Sequence, residues 1–290
     1  MKIRLLTCSF IFLLVGCGLT NKQIIKIQSF GSATEKIGIL CEEEFVNIRN
    51  GIIQMNKELV IIDNSKNSNN LDFDKPTFAE PTAERLAACK ALKLYGELLI
   101  NLVTENRDEN IQNATNSLID NMNVALGVDL SDEQKGAVSK IIVGLGHFWV
   151  DKKKADAAKE IIPAYQKTVD KLADLLLVDF SLNDSTLGYL KAYHTVASRL
   201  KNAAMRLVNA GDDYSVLERD RAVEAFYLAE TAINRAEKIE KIGAMSIKSL
   251  KKANKELCNI IKRQTYDTDD IKNYAKQIQE FVNMYQVLTK

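Results

Sequence analysis

Three prolines in 290 residues, with apolar side chains returning every third or fourth position, constrain this chain more than any other feature. A β-sandwich or barrel of this length needs many turns, and turns draw on Gly and Pro. This chain holds 13 Gly and is rich in Ala, Leu, Lys and Glu, which favour helices. From 34 to 62, Ile37, Leu40, Phe45, Ile48, Ile52, Met55 and Leu59 fall at helical intervals. Glu42, Glu43 and Glu44 read there as a solvated helix start. Further helices are expected over about 82–104, 109–126 and 131–150, the last opened by a Ser131/Gln134 capping box. Ala158, Ile162, Tyr165, Val169, Leu172 and Leu176 keep step across Pro163, predicting one long helix kinked at the proline. Segments near 185–209, 245–263 and 269–288 are also helical. Another helix opens at a Ser215/Glu218 capping box and is expected to break at Gly243. The fold expected is all-α, an antiparallel multi-helix bundle of about seven to nine helices in a single domain over 34–290. The polar stretch Asn64 to Asn70, leading to Pro76 and Pro81, predicts a disordered loop near 63–81.

The first residues have a different character. Lys2 and Arg4 give a positive start, Leu5 to Val15 an apolar run, and Gly16 a small residue before Cys17. That order is a secretory signal peptide. The run is eleven residues, whereas a spanning helix needs roughly 20. Leu14-Val15-Gly16-Cys17 resembles the lipobox of bacterial lipoproteins. The resemblance implies a signal peptide over 1–16, cleavage after Gly16, a diacylglyceryl group on the Cys17 thiol and an acylated new amino terminus. Gly18, rather than Asp, follows the cysteine. By the same resemblance that implies the outer membrane, at its periplasmic face or the cell surface. Residues 17–33 are expected to be the lipidated cysteine and a polar tether.

Losing Lys2 and Arg4 lowers the formal charge from +1 to −1. A nearly neutral chain lacks the clustered basic footprint of a nucleic-acid binder. Of five cysteines, Cys41, Cys89 and Cys258 remain after the signal and anchor are set aside. They allow one internal disulfide, for which Cys41 and Cys89, nearest in sequence, are the candidates; buried free thiols are the alternative.

No residues announce a catalytic centre, cofactor or metal. His147 and His194 are not in a metal-binding spacing. His147 and Trp149 lie in the all-round apolar run 141–150, which reads as a buried core helix. His194 follows Tyr193 on an amphipathic helix. Ser249 and Lys252 match the SxxK pattern of penicillin-binding proteins, but the accompanying motifs and the strands are missing. Asp267 to Asp270 lacks the glycine and glutamate of a calcium loop and reads as the cap of the last helix. One surface stands out: Lys248, Lys252, Lys255 and Lys262 fall on one helical face, opposite Ile247, Leu250, Leu257 and Ile261. Such a stripe suits an anionic surface, either headgroups or an acidic polymer.

Beyond the lipobox, Phe45-Val46-Asn47-Ile48-Arg49 with Met55-Asn56, and Tyr95-Gly96-Glu97-Leu98-Leu99, resemble uncharacterised helical lipoproteins of Gram-negative bacteria, over about residues 35–210. That resemblance implies fold and compartment and carries no activity. The expected role is a lipid-anchored envelope protein, non-enzymatic, binding an envelope partner or anionic polymer. The alternatives are a surface-exposed adhesin or host-factor binder, and an unrecognised periplasmic enzyme.

Overall fold

The computed structural model describes residues 18–63, 72–77, 79–104, 108–127, 134, 151–183, 188–210, 214–263 and 269–288. Every regular element among them is an α-helix: α1 (Asn21–Ile62), α2 (Ala79–Thr104), α3 (Asp108–Leu126), α4 (Asp151–Asp179), α5 (Tyr189–Asn209), α6 (Val216–Arg263) and α7 (Asp269–Leu288). The all-α bundle is therefore observed, with seven helices among the described residues. Most of the predicted 131–150 helix, with His147 and Trp149, lies outside the described residues, as do Cys17 and residues 64–71.

Two helices set the length. At about 1.5 Å per residue, α1 with 42 residues spans about 63 Å, and α6 with 48 spans about 72 Å. They run antiparallel, since Gln23 donates to the Ile260 carbonyl at one end (3.3 Å) and Arg221 binds Glu58 at the other (2.7 Å). The half containing the start of α1 is thick, because α2, α3, α4 and α7 also pack there. In the other half α5 lies beside α1 and α6, linked by Lys201 to Glu230 and by Arg206 to Asp63. The molecule is a rod with a broad base and a slender upper tier.

Three expectations are corrected. The segment after Gly18 is not a tether. Thr20 caps α1 through a reciprocal box with Gln23, and Gln23, Ile27 and Phe30 are buried, so the helix starts at Asn21 instead of near 34. Gly243 does not break α6. A glycine costs a helix about 1 kcal/mol, and a buried position beside Phe281 and Ile239 outweighs that cost. Third, the connection before α2 is ordered where it is described. Asn56 donates to the carbonyls of Phe73 and Lys75, and Arg49 grips Asp74 with two bonds of 2.9 and 2.7 Å. The helix continuing through Pro163 and the Ser215/Glu218 box are both as expected.

The α1–α2 seam is built on small residues. Gly31 faces Gly96, and Gly38 faces the backbone of Cys89 and Lys93. Positions 31 and 38 on one helix, and 89 and 96 on the other, are two helical turns apart, so the same close approach occurs twice.

Candidate functional site

The lysine rib of α6 is the surface the sequence singled out, and the fold leaves it open. Lys248, Lys252, Lys255 and Lys262 are all exposed, while Ile247, Leu250, Leu257 and Ile261 are buried. On one flank, Lys251 binds Asp174 of α4 at 2.5 Å and Asn254 donates to the Gln166 carbonyl and to Asp170. On the other flank, a polar groove of about 270 Å³ runs between α6 and α7, lined by Ser249, Lys252, Asp270, Lys276 and Glu280 among others. The four lysines thus project between α4 and α7. The one acid between Lys248 and Lys262, Glu256, turns inward, its carboxylate accepting the Ile271 amide at 2.9 Å and capping α7.

The rib also has a position no sequence pattern gave it. Its lower end is beside the start of α1, since Gln23 reaches the Ile260 carbonyl. Nearby, Ile25 is 60% exposed. Partial burial and neighbouring Lys272 lower the Lys26 pKa, opposed by Glu256 and Asp269. This end of the rod therefore gathers lysines from α1, α6 and α7.

A second constellation went unnoticed in the sequence. Where the two tiers meet, Glu44 is buried and bound by Arg235 through two bonds, 3.2 and 2.5 Å. Burial pushes the Glu44 pKa up, and the guanidinium opposes that shift. Arg235 also donates to the Leu288 carbonyl and lies 5.6 Å from the Tyr285 ring centre. Close by, Arg85 binds buried Asp179 at 3.0 Å and covers the Tyr189 ring. Burial raises the Asp179 pKa against the pull of Arg85. Phe45 packs between Phe180 and Tyr189. Burial pushes Tyr193 and Tyr285 up to about 12, so both phenols stay protonated at neutral pH. Each carboxylate is held by an arginine, and the group acts as a clasp joining α1, α6 and α7 to the α4–α5 junction. The reading of Glu44 as solvated is thereby overturned. Its partner lies 191 positions away, beyond any local signal.

The remaining candidates are readily placed. The Cys41–Cys89 disulfide is not formed: Cys41, Cys89 and Cys258 are free and buried. The fold does bring the first two together across the α1–α2 seam, where burial and a hydrogen bond with Cys41 hold Cys89 well above the usual thiol range. His194 is half-buried on α5. Ser249 donates to the Gln277 side chain and Lys252 is exposed, so that pair lacks the buried lysine an SxxK nucleophile needs. Among the described residues no group of three His, Cys, Asp or Glu could hold a metal, and no helix is long and apolar enough to cross a membrane.

At the far end of the rod, a groove of about 410 Å³ is lined by Ile61, Asp63, Arg206, Tyr214 and Arg221 among others. Ile61 is 56% exposed there, and Val216 and Leu217 at the start of α6 are 75% and 79% exposed. Compared with models of protein families, with curated proteins and with solved structures, the chain matches none.

Proposed function

We propose that this chain is a lipid-anchored protein of the bacterial outer membrane and a non-enzymatic binding module, carrying its partner at the end of the rod away from the bilayer. The observation that carries this reading is the Leu14-Val15-Gly16-Cys17 lipobox, followed after only Gly18, Leu19 and Thr20 by a capped helix. A helix of about 63 Å starting there holds the Ile61, Val216 and Leu217 tip far from the anchor. Large apolar side chains left exposed together favour a protein partner at that tip. Two or more acyl chains make attachment lasting, at about 0.8 kcal/mol per buried methylene.

Replacing the anchor tests the reading. Cys17→Ser abolishes fatty-acid labelling in cells and leaves the chain unprocessed or soluble. Labelling and membrane fractionation equal to the wild type overturn it. The partner end has its own test. A photo-crosslinking residue at position 217 of the lipidated protein yields a discrete adduct in intact envelopes, and the same residue at 171, near the base, does not. Identical patterns at both positions count against partner binding at the tip.

A further inference from the structure

We infer that the lysine rib of α6 is a second membrane contact, in which Lys262 and Lys255 engage anionic phospholipid headgroups of the bilayer that holds Cys17. The inference rests on the lipid-anchor reading and adds to it the surface that the anchored body turns toward the bilayer.

Distance decides the matter. A tether running from 17 to 33 would let the body float clear of the lipid. The structure reduces it to Gly18, Leu19 and Thr20. Leu19 already packs on the core and Thr20 is the helix cap. Three extended residues reach at most about 10 Å. The base of the rod is therefore held within about one Debye length of the headgroups, since that length is about 8–10 Å at 0.1–0.15 M salt. Charges at this end feel the bilayer, and charges farther up the rod are screened from it.

The fold then supplies charge of the right sign at that end. Gln23 on the Ile260 carbonyl fixes the end of α6 level with the start of α1. Lys262 lies two residues beyond that contact, and Lys255 five residues before it. Both are exposed; of the acids beside them Glu256 is turned inward to cap α7, while Asp269 and Asp270 at the start of α7 are exposed. Lys248 lies fourteen residues before Lys262, about 21 Å farther up the axis. Exposed Ile25, one turn into α1, offers an apolar side chain at the same level. A lysine near an anionic surface strengthens attachment about fivefold, so two such lysines together strengthen it by more than tenfold. An acyl anchor combined with a basic patch is a stable mode of membrane attachment. The occupant is the anchoring bilayer, because the tether is too short to let the base avoid it.

The test uses the full lipidated protein reconstituted into vesicles, either phosphatidylcholine alone or with about a third phosphatidylglycerol. An amine-reactive reagent is applied and each lysine is read by mass spectrometry, which also reports the acyl chains. At 0.1 M salt, anionic vesicles slow labelling of Lys262 and Lys255 several-fold relative to neutral ones. Lys248 changes less, and Lys57 in the upper tier does not change. In 1 M salt the difference disappears, because the Debye length falls to about 3 Å. An acylated, vesicle-bound protein whose Lys262 and Lys255 label equally on both vesicles overturns the contact and leaves the anchor standing. Slowing produced by an added soluble acidic polysaccharide, but not by phosphatidylglycerol, overturns it too. A chain without acyl groups that fails to float with either vesicle overturns the anchor, and this inference with it.

Discussion

Arg235→Ala destabilises the folded chain by about 3–5 kcal/mol at neutral pH, because it leaves a buried carboxylate without its counter-charge. Glu44 has no exposed side-chain surface, and both its oxygens are bound by that one guanidinium. The same substitution removes the bond to the Leu288 carbonyl and the contact with the Tyr285 ring, loosening the end of α7. The pH dependence follows from the direction of the shift. Burial already raises the Glu44 pKa against the opposing arginine, and removing the arginine raises it further. A carboxyl whose pKa is higher folded than unfolded favours the folded state when protonated. That advantage is present at low pH and is lost as pH rises through the folded value. The deficit of Arg235→Ala is therefore larger at pH 7 than at pH 5. Denaturant midpoints at the two pH values measure it. A double variant, Glu44→Gln with Arg235→Met, recovers most of the loss, because no buried charge is left uncompensated. A deficit under about 1 kcal/mol, or one equal at both pH values, would show that the clasp is not what holds the tiers together.

Gly96→Val separates α1 from α2 and costs at or above the top of the roughly 1–3 kcal/mol range for overpacking. A Cβ on Gly96 would lie 2.4 Å from the Gly31 carbonyl oxygen and 2.5 Å from the Glu35 nitrogen. Both are backbone atoms of a helix and cannot swing aside as a side-chain tip can. Gly243→Ala supplies the contrast. Its Cβ would meet Phe281 at 3.5 Å, an ordinary contact. Alanine is also better in a helix than glycine by about 1 kcal/mol, so this variant melts at or above the wild-type temperature. Thermal melts of the two variants decide the point. Similar melting for both would mean that the close approach at Gly31 and Gly96 is not a constraint on the fold.

Much of this architecture was legible because helical periodicity is a short-range signal. The phase of Ala158, Ile162, Tyr165 and Val169 carried the reading through Pro163, and Ser215 with Glu218 marked the start of α6 within a few residues. The same periodicity was enough to put Lys248, Lys252, Lys255 and Lys262 on an exposed face, since Leu250 and Leu257 opposite them had to be buried. The first turns of α1 were misread because Gln23 and its polar neighbours look like tether. Gln23 is buried only because the Ile260 carbonyl, 237 positions away, receives its amide.

The sequence by itself determined that the chain is helical, where most helices run, which faces are apolar, and that a short apolar run ending at Gly16-Cys17 stands before them. Each of these depends on residues within a few turns of one another. Only the tertiary structure decided that α1 begins at Asn21, that Glu44 is clasped by Arg235, that Gly96 lies against Gly31, and that the lysine rib ends beside the start of α1. Those are pairings between distant parts of the chain. Their energies come from burial and charge compensation that exist only once the helices have packed, and no local pattern of residues encodes them.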